Sequence, residues 1–242
     1  MNLIEFIKDI ELLLSNASVL HKSGSVLYSA AHTLTKGDAY ILGLNPGGIE
    51  GLSISEDLAA LPNKSLNSYL DEYWGKKGIY RVEEEPKGQA PLQIRLNKLV
   101  NAIGLNLSNV CASNLVFMRS RNDKGINYPH DANICWATHE KILNIVKPNL
   151  IIAFGNSSRS PYRYLSNKFN LGGHESEIES GHGNWKCRSF EALILGRTIR
   201  VVGFPHLSRY SPLDKNGAVR EDIKNWLRQG LVIDDRGSLR KQ

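Results

Sequence analysis

Apolar and polar positions alternate along this chain in blocks whose periods predict a succession of helices and strands. Leu3, Ile4, Ile7, Ile10 and Leu14 recur at close to 3.6 residues, which predicts an amphipathic first helix over 3–14. A polar, Gly-containing linker follows, and then Ala39 to Leu44 forms a short unbroken apolar run of strand length. That run ends in Gly43-Leu44-Asn45-Pro46-Gly47-Gly48, a turn-forming sequence. An apolar run on both faces fits a buried parallel strand, and the turn after it falls at the C-terminal edge of the sheet, where open α/β sheets keep their sites.

The same grammar continues downstream. Pro91 opens a helix to Ile103, with Leu92, Leu96, Leu99, Val100 and Ile103 on one face and Gly104 as its stop. Asn109 to Met118 reads as a second strand with Asn114 embedded in it, followed by Arg119, Arg121 and Lys124. A helix over Ile134 to Val146, stopped by Pro148, leads to the strand Leu150 to Phe154 and the turn Gly155-Asn156-Ser157-Ser158. Trp185 to Leu195 and Thr198 to Phe204 read as two strands around Gly196-Arg197, and Asp222 to Leu227 lies in a last helix. Strand and helix alternating in this order predict a three-layer α/β/α sandwich around a mainly parallel sheet of four to five strands, spanning 1–242 as one domain.

Two stretches carry less periodicity. Residues 49–90 read as a long excursion over the sheet, with a short helix expected around Leu66 to Trp74 and with Tyr69, Tyr73, Trp74 and Tyr80 as candidates for stacking on a ring or for packing the loop down. Arg159 to Lys186 is polar and Gly-rich, and the tail 234–242 is polar and expected to fray. There is no internal repeat.

Composition narrows the classes. At 242 residues with 41% hydrophobic and 22% charged residues, the chain suits one sizeable globular domain. No run approaches the ~18 apolar residues of a membrane span. The N-terminus lacks the basic start and small-residue cleavage site of a secretory signal, so a cytoplasmic location is expected. Cys111, Cys135 and Cys187 have no CxxC spacing, which argues against a disulfide framework or an iron–sulfur site and for buried free thiols. His174, His182 and Cys187 with Glu175 and Glu177 fit no compact zinc-ligand spacing, and no metal is expected there. The net charge of +6 suits an anionic partner.

Three strand ends carry site-like residues, Asn45, Asn114 and His206, and in a parallel sheet these share one edge. With the turn Gly43-Leu44-Asn45-Pro46, the strand segment Ser113-Asn114-Leu115-Val116 and the turn Pro205-His206-Leu207-Ser208-Arg209-Tyr210-Ser211, the chain resembles the uracil-DNA glycosylase superfamily from about Ala39 to Ser211. It is closest in pattern to the branch with a Gly-x-Asn-Pro-Gly motif. The resemblance implies a monofunctional DNA glycosylase without metal or organic cofactor, acting on DNA as a monomer. Base removal of this kind serves repair or, on modified phage DNA, defence.

The resemblance also assigns roles. Asn45 would position the attacking water, His206 would donate to the base O2, and Asn114 would hold the Watson–Crick edge, in a pocket completed by Gly43, Leu44, Pro46 and Gly47. Ser208, Arg209, Tyr210 and Ser211 would meet the DNA, with Tyr210 as the wedge and Arg209 on a phosphate. After Val201 there are eight Lys/Arg against five Asp/Glu, compatible with a DNA-facing flank. The chemistry explains the residue types, because cleaving an N-glycosidic bond builds negative charge on the base and needs aimed donors. Asn45 cannot act as a base, so catalysis would rest on leaving-group stabilisation and water placement.

One departure bears on substrate. Members strict for uracil carry Tyr after the motif Pro, whereas this chain has Gly47, so a C5-substituted pyrimidine is expected to enter as well. Two other readings stay open. One is a non-catalytic nucleic-acid-binding module of the same fold; the other is a nucleotide-binding protein using Gly47-Gly48 for phosphate, weakened by the lack of a P-loop Lys or a GxGxxG fingerprint.

Overall fold

The computed structural model describes residues 2–48, 51–74, 86–170 and 172–231. Its elements in chain order are α1 (Leu3–Asn16), β1 (Ala39–Gly43), α2 (Ile54–Ala60), α3 (Pro91–Ala102), β2 (Cys111–Asn114), α4 (His130–Val146), β3 (Leu150–Phe154), α5 (Pro161–Phe169), β4 (Ser176–Glu179), β5 (Lys186–Ile194), β6 (Arg197–Phe204) and α6 (Glu221–Arg228). The strands form a single six-stranded sheet in the order β2-β1-β3-β6-β5-β4. Pairing is parallel from β2 through β6, and β5 and β4 add an antiparallel flank. The architecture is therefore the expected α/β/α sandwich, one strand larger than the sequence pattern indicates.

Alternation along the strands sends side chains to two cores. Tyr40, Leu42, Ile151, Ala153 and Val201 pack with Phe6, Ile10 and Leu14 of α1, Ile54 and Leu58 of α2, Cys135 and Ile142 of α4 and Leu165 of α5. Ile41, Ile152, Val202 and Phe204 face the other way, onto Leu96, Leu99 and Val100 of α3 and Ile223, Trp226 and Leu227 of α6. Every residue of β1 and β3 is buried, which is why both read as continuous apolar runs. Each fully buried aliphatic or Phe side chain contributes about 1.5–3 kcal/mol, so the central strands anchor whatever their ends carry.

Helix ends follow local chemistry. Asn2 and Glu5 cap α1 reciprocally, and Ser53 and Glu56 do the same for α2. Ser160 caps α5 through the Arg163 N–H, with Pro161 at its first position. The expected helix over 66–74 does not form. There Asn67 Oδ1 accepts from Tyr69 N (2.9 Å), the Asp71 carboxylate accepts from Asn67 N (2.7 Å), and Gln93 Nε2 donates to the Ser68 and Glu72 carbonyls (both 2.9 Å). These bonds use the backbone groups that a helix would need. Within 159–186, the sequence pattern also passed over α5 and β4.

Candidate active site

Register places the predicted site residues along one edge of the sheet. Gly43 at the end of β1 pairs with Asn114 at the end of β2, and Phe154 at the end of β3 pairs with Phe204 at the end of β6. The edge thus presents, in order, Asn114, the turn carrying Asn45, Gly155, and the turn carrying His206. Leu115 N and Val116 N donate to the Gly43 and Leu44 carbonyls (2.8 and 2.9 Å), so the pairing of the first two segments continues past the strand ends.

Asn114 is 3% exposed, and its Nδ2 has no hydrogen-bond partner among the described residues. Leaving such a donor buried and unpaired costs about 1–3 kcal/mol, so this amide at a strand end is available to a ligand or an ordered water that can accept from it. Gly43 is glycine because Asn114 lies across it. A methyl there would collide with Asn114 Oδ1 and stand 2.7 Å from Phe154 Cζ. The Phe154 ring therefore forms the floor beside Asn114. It makes edge-to-face contacts with His206 (centroids 5.8 Å apart, 83°) and with Tyr69 (6.1 Å, 90°), whose buried hydroxyl also has no partner among the described residues.

Asn45 is half-buried and turned by its neighbours. Its Nδ2 donates to the Pro46 carbonyl (2.8 Å) and, at longer range, to the Ser120 carbonyl (3.4 Å). Reversing the amide would set its oxygen against those two carbonyls, so Oδ1 is the group left to accept from a ligand or a water. Arg119 fastens this turn from outside, with Nη1 donating to the Gly47 carbonyl. The same guanidinium stands beside Tyr28, whose hydroxyl is pushed up to about 12 by burial against the pull of the Arg119 charge. Gly48 has φ +89°, and a Cβ built on Gly47 meets nothing within 4 Å among the described residues. Among the described residues the Gly47 side of the turn is open.

His206 follows β6 and the buried Pro205. The Ser208 backbone N–H points at Nδ1 (3.3 Å), and an amide can only donate, so Nδ1 accepts there and from Ser208 Oγ (2.8 Å). The neutral ring then carries its proton on Nε2, for which no acceptor stands among the described residues. Desolvation of the ring where it packs against the strand ends and, second, the Arg209 charge hold His206 below the ordinary histidine value, although its outer edge is exposed. A neutral donor aimed from the strand end is the form that can meet a developing anion. Gly155, with φ +109°, lets the β3 turn pass beside this ring; a Cβ there would stand 4.0 Å from His206 Cδ2.

One predicted contact is overturned. Tyr210 is 0% exposed, stacked on Phe204 (centroids 6.4 Å apart, 16°), and its hydroxyl accepts from Cys187 Sγ–H (3.7 Å), so it cannot be the wedge that enters a duplex. The reason is the helical turn after the strand. Arg209 N and Tyr210 N both donate to the His206 carbonyl (2.9 and 3.0 Å), which sends Leu207 and Tyr210 inward and leaves Ser208, Arg209 and Ser211 exposed. Arg95 of α3 clamps the turn by donating to the Leu207 carbonyl (2.7 Å).

Sequence pattern alone missed Phe154, Tyr28 and the role of Arg119. The signals for them are slight, an aromatic residue ending an aliphatic strand and a basic residue just past another. Of the loop aromatics, Tyr69 is buried against Phe154, and Trp74 is half-buried against Tyr69 and Tyr28 (centroids 5.4 and 6.3 Å apart). Tyr80 lies outside the described residues.

Among the described residues no three His, Cys, Asp or Glu are grouped to hold a metal ion. Glu175 is engaged by Ser166 Oγ (2.8 Å) and Arg163 (3.3 Å), and Glu177 by Arg188 (3.0 Å). All three cysteines are buried and free, their thiols pushed up to about 12 by that burial. No helix among the described residues is long and apolar enough to cross a membrane. Neither a protein-family model nor a curated protein matches this chain.

Proposed function

We propose that the protein is a DNA glycosylase that hydrolyses the N-glycosidic bond of a flipped-out uracil or C5-substituted pyrimidine, leaving an abasic site. The observation that carries this reading is the unmet Nδ2 of buried Asn114, set on the same sheet edge as an Asn45 acceptor and a neutral His206 donor. Asn114 Nδ2 would donate to the base O4. His206 Nε2–H would donate to O2 as the bond from N1 to C1′ breaks and its electron pair passes to the ring. Asn45 Oδ1 would accept from a water placed under C1′. That water adds to the oxocarbenium-like sugar and loses its proton to solvent, because a carboxamide cannot take it. The open face at Gly47 supports entry of a substituent at C5.

The test is to incubate the protein with duplexes carrying uracil, 5-hydroxymethyluracil or a modified cytosine and to score alkali-labile sites. Base release that survives both His206→Ala and Asn45→Ala at the original rate would overturn the site. Salt-sensitive DNA binding with no release from any substrate would favour a binding module of the same fold.

A further inference from the structure

With Tyr210 in the core, the edge needs another group to occupy a duplex, and the antiparallel flank of the sheet supplies one. Glu179 of β4 pairs with Lys186 of β5, and Arg188 pairs with Gly203 of β6, so the hairpin tip 180–185 projects past the same edge as the His206 turn. The tip is closed by Ser180 N donating to the Trp185 carbonyl (3.1 Å) and Trp185 N to the His182 carbonyl (3.2 Å), with Gly181 and Gly183 at φ +77° and +54°. Arg220 holds it from below by donating to the Ser180 and Glu179 carbonyls. Asn156, in the turn after β3, ties its base to the site by donating to the Lys186 and Gly203 carbonyls (2.7 and 3.0 Å).

This tip carries an aromatic pair. Trp185 is 41% exposed, whereas Trp136 and Trp226 are core residues, and its ring lies 4.7 Å from that of His182, itself exposed. A single exposed hydrophobic side chain needs no explanation. Here the ring sits in a braced turn on the same sheet edge as the turn that carries the exposed Arg209, on a chain of net charge +6 that favours a polyanion. Aromatic faces offered next to basic residues are how proteins stack on nucleobases without reading sequence.

We propose that Trp185, backed by His182, stacks against a nucleobase in the gap that opens when the target nucleotide leaves the helix. This rests on the glycosylase reading of the neighbouring site and assigns the duplex-occupying role to the β4–β5 hairpin. The test compares binding of the full chain to a duplex with one abasic position and to the same duplex fully paired, by fluorescence anisotropy and by tryptophan emission. Trp185→Ala should weaken binding to the gapped duplex about tenfold and remove most of the emission quench, with less than about a twofold change on the paired duplex, and Trp185→Phe should restore most of the affinity. Equal losses on both duplexes, or no loss on either, overturn the proposal. If uracil is released but Trp185→Ala binds like the parent, only the stacking role fails. Absence of both DNA binding and base release overturns the glycosylase reading and this one together.

Discussion

The turns after β1 and after β6 use different means to present one polar side chain. In the first, Asn45 is oriented by spending its donors on the Pro46 and Ser120 carbonyls, while Arg119 ties down the Gly47 carbonyl. In the second, His206 is oriented by hydrogen bonds from Ser208 and by the edge of the Phe154 ring, and the turn is secured by burying Leu207 and Tyr210 as well as by the Arg95 bond to the Leu207 carbonyl. The first turn is held by hydrogen bonds over a glycine face, whereas the second adds to its hydrogen bonds two side chains driven into the core. Stability and chemistry should therefore separate differently in the two.

The largest effect expected is on the packed turn. Tyr210→Ala should cost about 3–5 kcal/mol of stability in urea unfolding, whereas Tyr210→Phe, which loses only the weak bond from Cys187, should cost less than about 1 kcal/mol. A stable Tyr210→Ala protein that loses only DNA binding would restore the wedge and break the contrast.

Next, on the proposed reading, His206→Ala should lower kcat about 10²–10³-fold on a uracil duplex, on the order of 2.7–4 kcal/mol of transition-state stabilisation, with the melting temperature little changed. A comparable fall in stability would mean that the histidine belongs to the packing of its turn.

The hydrogen-bonded side has its own prop. His139 of α4 accepts from the Tyr40 hydroxyl (2.8 Å) and donates to the Leu115 carbonyl (3.1 Å), and burial holds it down at about 4. Because the folded value lies below the ordinary 6.5, the unfolded chain takes up the proton first. The contribution is whole above about pH 6.5 and is lost as pH falls toward 4, at about 1.4 kcal/mol per unit and on the order of 3 kcal/mol in all. Urea midpoints measured from pH 7.5 to 4.5 should show a steeper acid decline in the parent protein than in His139→Gln. Equal slopes would remove His139 as the support of the β1 side.

The smallest effect on stability is expected at the open face. Gly47→Tyr should change stability by no more than about 0.5 kcal/mol, since Gly47 is exposed and a Cβ there meets nothing within 4 Å among the described residues. On the proposed reading it should also lower the ratio of 5-hydroxymethyluracil to uracil release. An unchanged ratio would place the C5 position elsewhere.

What the sequence made legible follows from how strongly each element is patterned. β1 and β3, α3 and α4 announce themselves because burial on both faces, or on one broad stripe, leaves few polar residues to blur the period. α2 and α5 are short, and only their caps, Ser53 with Glu56 and Ser160 with Pro161, signal them. β4 is mostly exposed and so carries no hydrophobic alternation. In the site, Asn45, Asn114 and His206 could be aligned because strand ends share an edge. Tyr210 could not be placed, since spacing gives an offset from His206 but not the sense of the turn. Phe154 is hidden for a related reason: a buried aromatic that floors a site and one that fills a core look alike in one dimension.

The empty space at Gly47 has an evolutionary consequence. Most positions near a functional centre couple what they recognise to how well the chain folds, so a change of preference drains stability and must be compensated elsewhere. Here the backbone around Asn45 is secured by Arg119 and Ser120, and among the described residues the adjacent Cβ vector is unobstructed. On the proposed reading, a lineage could widen or narrow its range of accepted bases through one codon, and return, without altering the rest of the fold.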